Sequence, residues 1–385
     1  MKHRRRMVRP RSLFYLVLFG CAVGAAAGPR QATRSGAAPS RWEKAYAEPG
    51  GVGFKAVYSV PMQLRRTSAL NWLWLGDSNG FVRVVALDLN SAASLGPQPG
   101  IPAPYFGLSR VKVGRRGEAD EQAGAPVNAL AFLDEGSGYL LKGNRLYMTE
   151  DAGFSWRPIY EERDPPDGGV AMLVSLSVTP SKRACIAGWY TRPKKMPESL
   201  LVCSARSLEH DDPQWRRIDA APKQAQFFNV HFLDDRRGWV VGTKGTVLKT
   251  ENGGRAWKKI REGPESLLQT YFVDEDKGWA VGRLGVVLST RDGGHHWEPT
   301  RVRFDRGAAN VTLRGVGFAD DRKNGWIVGE QGTILHTDNG GLMWHQQQPP
   351  AESRGRQPDL HALFVDKDVC WTVGDSGAVW RYRLR

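Results

Sequence analysis

One short string recurs along the second half of this chain and confines what it can fold into. Gly238-Trp239-Val240-Val241-Gly242 returns as Gly278-Trp279-Ala280-Val281-Gly282, as Gly325-Trp326-Ile327-Val328-Gly329 and, with its first glycine replaced, as Cys370-Trp371-Thr372-Val373-Gly374. The tryptophans are 40, 47 and 45 residues apart. Self-similarity at that period belongs to repeat architectures, in which each unit is one supersecondary element that buries its apolar face only against its neighbours. Each string is followed by a two-residue turn, a Gly and a second β-rich run such as Thr246-Val247-Leu248-Lys249 or Thr333-Ile334-Leu335-His336. Every copy therefore reads as a hairpin.

A second string follows the first three hairpins and has an earlier copy of its own. It comprises Thr149, Asp151, Gly153 and Trp156; Thr250, Asn252, Gly254 and Trp257; Thr290, Asp292, Gly294 and Trp297; and Thr337, Asn339, Gly341 and Trp344. The spacing has a mechanical reading. The Asp or Asn accepts backbone N–H bonds within a turn, the Gly takes a positive φ, and the Trp opens the next strand and fills the gap between packed sheets. This pattern resembles the Asp box, also called the bacterial neuraminidase repeat. Its residues are expected to be structural.

Counting units gives a degenerate first sheet over Phe54–Val113, then Val127–Ile159, Val170–Ile218, Phe227–Ile260, Leu267–Thr300 and Val311–Gln346. A last unit, Leu360–Arg385, supplies only three strands. The third unit has lost its box before Trp215, and Leu89–Val113 and Thr191–Leu200 read as insertions. Trp42-Glu43-Lys44-Ala45-Tyr46 resembles the post-box strands yet lies at the start of the folded region. It is expected to complete the last sheet and close the ring, which removes two exposed sheet faces. An aromatic content of 10% with 44 Gly suits many short strands and tight turns. The fold expected over 41–385 is all-β: one seven-bladed β-propeller closed by an N-terminal strand completing the last blade.

The composite string Gly-Trp-x-Val-Gly-x-x-Gly-x-Val/Ile-Leu-x-Thr-x-Asp/Asn-Gly-Gly-x-x-Trp, present three times between Gly238 and Trp344, resembles the photosystem II assembly and stability factor family of propellers. The resemblance covers 41–385 in outline and is tight over 227–382. It implies an exported, non-enzymatic propeller, whose photosynthetic members bind a membrane-protein subunit during assembly through a basic surface. The repeat specifies the fold more closely than that role.

Residues 1–27 read as an export signal: a cationic start, an apolar run from Leu13 and small residues through Ala27. The apolar stretch is shorter than the roughly 20 residues a membrane-crossing helix needs. Leu18-Phe19-Gly20-Cys21 resembles a lipobox, which would make Cys21 the lipidated residue of a lipoprotein; Ala25-Ala26-Ala27 offers ordinary cleavage, and an uncleaved anchor is the third outcome. Residues 28–40 read as a linker. The expected location is periplasmic or membrane-anchored, with a tether through the N-terminus. The net charge is +14, and Lys2, Arg4, Arg5, Arg6, Arg9 and Arg11 contribute six of it, so the rest of the chain keeps +8. A basic balance favours acidic partners without naming them.

Signals for catalysis are weak. A sialidase would need an arginine cluster, a tyrosine paired with a carboxylate and an aspartate near the axis, and the Phe/Tyr-Arg-Ile-Pro segment that usually supplies the first arginine is absent. A glycosidase needs two carboxylates at a set separation. Asp234-Asp235, Asp274-Glu275-Asp276 and Asp320-Asp321 recur at equivalent turns, which points to turn formation. His295 and His296 are adjacent, so on a strand they point oppositely and do not share a metal. No phosphate loop, Cys-x-x-Cys pair or nucleophile elbow occurs. No cofactor, metal or catalytic residue is expected. A glycan-active propeller, either a sialidase-like or other hydrolase or a lectin-like binder, is the competing class.

Cys185 and Cys203 fall on hairpin strands of the third unit. Aligning Gly188 with Gly242 and Cys203 with Lys249 makes Cys203 face Ala184, so a direct bridge is not expected unless the longer loop shifts the pairing. Cys370, in place of the Gly, reads as a small buried residue. Function is then left to loops. In a propeller, second-to-third-strand connections and inter-blade connections share one face, and here they carry Arg192, Lys194, Lys195, Lys244, Arg283, Arg301, Arg303, Arg306, Arg354 and Arg356. This face is expected to dock an acidic segment of a membrane or envelope protein, with the propeller a monomer. Nucleic acid is a poorer partner, since the cationic loops lack interleaved aromatics.

Overall fold

The computed structural model describes residues 42–47, 52–62, 70–88, 109–112, 124–134, 136–153, 155–219, 222–304, 310–350, 356–366 and 369–384. The export signal with Cys21, the linker, Arg306 and Arg354 lie outside them. Among the described residues the strands form seven sheets, with antiparallel neighbours except for one added outer strand on the sixth. Their first strands are Phe54–Met62, Val127–Phe132, Val170–Val178, Phe227–Phe232, Leu267–Phe272, Leu313–Phe318 and Leu360–Asp366, which define blades 1 to 7. Each first strand packs against the first strand of the next blade, and that of blade 7 packs against that of blade 1, so the innermost strands form a closed ring. The outermost strand of the seventh sheet is Glu43–Ala47, antiparallel to Ala378–Arg383. Trp42, just before it, is buried against Tyr382 and donates its indole N–H to Gln347 Oε1 of blade 6 at 2.7 Å.

The repeated glycine has a steric cause. In blades 2, 4, 5 and 6 a phenylalanine ends the first strand directly opposite the glycine that opens the second: Phe132 and Gly138, Phe232 and Gly238, Phe272 and Gly278, Phe318 and Gly325. The ring lies on the glycine, so a Cβ at Gly278 would fall 2.6 Å from the Phe272 ring. Where the facing residue is the smaller Val178 or Val365, the partner is Ala184 or Cys370. Cys370 is thus a small buried side chain, with its thiol pKa pushed up by burial.

The same phenylalanines carry the contact between blades. The indole of Trp239 in blade 4 stacks on Phe272 of blade 5 at 3.5 Å between ring centroids, and Phe272 in turn meets its own blade's box Trp297 edge-on at 5.9 Å. Trp279, Phe318 and Trp344 repeat the arrangement between blades 5 and 6 at 4.1 and 5.6 Å. Trp239 also donates its indole N–H to the carbonyl of Gly293 in the following box at 3.0 Å.

Between blades 3 and 4 that slot holds sulfur. Cys185 and Cys203 are direct cross-strand partners joined by a disulfide, which corrects the expected one-residue offset. In the Gly-Trp hairpin Trp239 pairs with Lys249, and the same register carries Cys185, at the Trp239 position, onto Cys203. The bridge lies beneath the next box: a Cβ at Gly254 would fall 2.9 Å from the Cys185 sulfur and 3.1 Å from that of Cys203.

Sheet edges around the axis are satisfied by side chains of the preceding blade. Ser175 Oγ accepts from the Val230 N–H at 2.9 Å, Asn229 Oδ1 from Thr270 at 3.0 Å, and His231 Nε2 from Phe272 at 3.2 Å. Each answers the demand that buried backbone donors be paired. His231 must be neutral to accept, and full burial pushes its pKa down to about 4.

Three outcomes follow from this packing. Gly278→Ala should cost about 1–3 kcal/mol by overpacking, and Phe272→Val in the same chain should recover part of the loss in a denaturant titration, as Ala184 opposite Val178 already does. Replacing both Cys185 and Cys203 by Ser should cost about 2–4 kcal/mol, whereas Cys185→Trp with Cys203→Lys should restore stability by recreating the neighbouring blade's pair. For His231 the neutral form belongs to the fold and the unfolded chain takes up the proton first, near its ordinary pKa of about 6.5. Stability should therefore fall as pH drops from about 6.5 toward about 4, and His231→Gln, which keeps an acceptor, should flatten that part of the profile.

Candidate docking face

Because neighbouring strands are antiparallel, the connections from second to third strand and from blade to blade emerge on one face, and the first-to-second turns and boxes on the other. The box face is structurally committed. In each box the Thr hydroxyl accepts from the Gly N–H, at 2.8 Å for Gly153 and Gly294 and 3.0 Å for Gly254 and Gly341. The Asp or Asn Oδ1 accepts from the N–H four residues on, at Ser155, Ala256, His296 and Met343. Trp156, Trp257 and Trp297 donate to the carbonyls of Gly153, Gly254 and Gly294. In the first-to-second turns, Asp134, Asp234, Asp274 and Asp321 each accept two successive N–H groups. Their carboxylates hold turns.

An open cleft of about 700 Å³ lies between the boxes of blades 5 and 6, lined among others by Asp292, His296, Glu298, Arg301 and Leu342. Burial works against the Asp292 charge, but the His296 backbone N–H and imidazole hold its carboxyl far below the usual range. It is a poor proton donor. His295 and His296 take separate partners, Lys249 Nζ at 3.2 Å and Asp292 Oδ2 at 2.6 Å. Among the described residues a tyrosine–carboxylate arrangement occurs at Glu162, buried between blades 2 and 3 and bonded by the Tyr160 and Tyr190 hydroxyls and by Arg217. Burial first, then these bonds to Glu162, push both tyrosine pKa values up, the reverse of what an activated nucleophile needs.

The opposite face gathers the cations, in three different states. Arg192 pairs with Asp167 and Glu198, and Lys195 with Asp167 at 2.9 Å, so these two are compensated within the third-blade loop. Lys194, Lys244 and Arg283 stand on second-to-third-strand connections of blades 3, 4 and 5 and form no ion pair among the described residues; Arg356 is exposed on the connection into blade 7. Arg301 and Arg303 are not in a loop. Arg301–Arg303 forms a fifth strand on blade 6, parallel to Met343–Gln347, which places both at the outer rim. The physical reason is local: the fourth strand of blade 5 is only Glu298–Pro299, and beyond it the chain crosses to the open edge of the next sheet.

A further group had no sequence signal. Every first strand carries a one-residue bulge, after its first position at Lys55, Asn128, Phe228, Leu268, Arg314 and His361 and further along the longer strand of blade 3 at Val174. Bulges re-aim side chains, commonly at rims. Here they meet across blades. Val174, Phe228 and Leu268 of blades 3 to 5 form one apolar cluster with Trp189. In blades 6, 7 and 1 the bulge residues are Arg314, His361 and Lys55, and the second-to-third-strand turns supply acids to match. Arg314 bonds Glu330 at 2.6 Å, and His361 Nε2 lies 2.6 Å from both Asp375 Oδ1 and Lys55 Nζ. Burial lowers the Lys55 and His361 pKa values, while the His361 and Lys55 contacts overcome the effect of burial on Asp375 and bring it down to about 2. That sector is charge-compensated; in blades 3 to 5 Arg192, Lys195, Lys259 and Arg261 are paired, but Lys194, Lys244 and Arg283 form no ion pair among the described residues.

The family model described as Photosynthesis system II assembly factor YCF48 matches residues 208–266 and 262–383. Over that stretch, somewhat under half of the chain, the sequence is similar to photosystem II assembly factor-like propellers. The photosystem II stability/assembly factor HCF136, chloroplastic, of Guillardia theta is 40% identical over 45 residues, and the match spans 11% of this chain and 11% of that protein. Among solved structures, YCF48 bound to D1 peptide is 16% identical, covers 68% of this chain and 92% of its own, and superposes with a TM-score of 0.37. The Pan2 WD40 domain of Neurospora crassa is also 16% identical, with 90% and 98% covered and a TM-score of 0.53, a likeness of fold alone.

Proposed function

We propose that this protein is an exported, non-enzymatic assembly propeller that docks an acidic segment of a membrane or envelope protein on its basic face. The observation that carries the reading is the contrast between sectors. At matching turns, blades 6 and 7 place Glu330 against Arg314 and Asp375 against Lys55 of blade 1, whereas blades 4 and 5 place Lys244 and Arg283 with no ion-pair partner among the described residues. Cations without partners are available to an incoming anion at no cost in broken pairs. The match to an assembly-factor family model supports a binding role over turnover. Export is supported by the signal-like residues 1–27 and by a cysteine pair seated for a disulfide, a bond that persists in oxidising compartments. A tether through Cys21, a cleaved soluble form and a retained anchor remain the three N-terminal states to be separated by mass spectrometry of the mature protein.

Replacing Lys194, Lys244 and Arg283 together by Glu should abolish capture of a membrane-protein partner from detergent-solubilised envelopes, and raised salt should weaken capture by the unaltered chain. Arg301→Glu with Arg303→Glu, on the outer rim, should leave capture in place. Loss of capture only in the rim variant, or turnover of a sialoside or polysaccharide by the purified protein, would contradict this reading.

A further inference from the structure

Among the described residues, four large apolar side chains are strongly exposed: Val170, Met196, Leu284 and Leu342. Leu342 belongs to a box. The other three share the docking face and the same sector of the ring. Val170 opens the first strand of blade 3, Met196 sits in that blade's long connection directly after Lys194 and Lys195, and Leu284 follows Arg283 in the turn of blade 5. Blade 4, between them, contributes Lys244.

Leu284 is the most exposed of these, at 70%. It also adopts a left-handed backbone, with φ of 58°. The matching positions of blades 4, 6 and 7 are equally left-handed but polar: Lys244, Gln331 and Ser376. A leucine there gains nothing from burial and pays for a conformation that non-glycine residues avoid. An exposed apolar group held at such a site is an observation in want of a binding role. Met196 is 61% exposed between Lys195 and Pro197, in a loop otherwise rich in charge. Both belong to the sector of blades 3 to 5, whose bulge residues Val174, Phe228 and Leu268 form one apolar cluster.

We infer that the docking face is amphipathic in blades 3 to 5, and that its occupant is a protein segment carrying apolar side chains for Met196 and Leu284 beside carboxylates for Lys194, Lys244 and Arg283. This inference rests on the docking function proposed above and specifies its ligand. The cations steer and orient an acidic segment, while burial of Leu284 and Met196 supplies affinity, the usual division between rim charge and apolar anchor.

The test uses the full chain and two fluorescein-labelled peptides of equal length and charge. One presents Leu on one helical face and Glu on the other; its control has every Leu replaced by Ser. Fluorescence anisotropy should show the Leu/Glu peptide binding at least tenfold more tightly than its control. Leu284→Gly with Met196→Ser should remove that advantage while leaving binding of the control unchanged. Leu284→Gly relieves the left-handed backbone, so the variant should unfold at the same or higher temperature, which separates a lost contact from a lost fold. Equal binding of both peptides to the unaltered chain, or an unchanged advantage in the double variant, would overturn the inference and leave charge-driven docking intact. Binding of neither peptide would overturn the docking function itself. Sedimentation with phosphatidylglycerol vesicles, lost in the double variant, in the absence of a Leu/Glu preference would assign the apolar pair to a lipid surface and also overturn the inference.

Discussion

Between blades 4 and 5 and between blades 5 and 6 the ring is held by an aromatic sandwich that crosses from one blade to the next. A tryptophan of one hairpin stacks on the phenylalanine that ends the next blade's first strand, and that phenylalanine is met edge-on by its own box tryptophan. Each ring brings a large apolar area, and stacked or edge-on pairs add about 0.5–1.5 kcal/mol beyond burial. The arrangement explains why three motifs travel together. The Gly of Gly-Trp makes room for the phenylalanine within a blade; the box Gly makes room for the indole between blades, where a Cβ at Gly341 would fall 2.3 Å from Trp279 Nε1. The Thr and Asp or Asn of the box hold that glycine in its left-handed turn. Altering one member leaves the others without a purpose.

The disulfide of blade 3 obeys the same rule with different atoms. Cys185 and Cys203 occupy the positions of Trp239 and Lys249, and their sulfurs press on the box of blade 4 and on the neighbourhood of Phe232. A covalent pair thus replaces an indole at the junction of blades 3 and 4. Whatever compartment the chain matures in must allow that bond for the third and fourth blades to meet as the others do.

Much of this was legible in the sequence, because the Gly-Trp hairpins and boxes repeat with residues whose roles are steric. Seven units, the three-stranded last unit and the box turns could be counted from Trp and Gly positions alone. The register of Cys185 and Cys203 was not, since a displacement of one residue separates a bridge from a near miss and only the pairing of Trp239 with Lys249 decides it. The fifth strand at Arg301–Arg303 resembles any basic inter-blade loop. The bulges share a backbone geometry but no chemistry, from Lys55 to Phe228, so no pattern of residue types betrays them. The division of the face's cations into those with and those without an ion-pair partner among the described residues emerges only when turn residues such as Glu330 and Asp375 are set beside the strands they neutralise. A scaffold of rigid, interlocked blades can hold such a pattern in place while the loops vary.

The coupling between Trp279 and Phe318 tests the account most directly. Trp279→Leu, Phe318→Leu and the double variant, compared by denaturant unfolding, should yield a coupling of about 0.5–1.5 kcal/mol across the blade boundary. Additive losses within about 0.3 kcal/mol would mean that the two rings stabilise their own blades separately, and that the ring is held by something else.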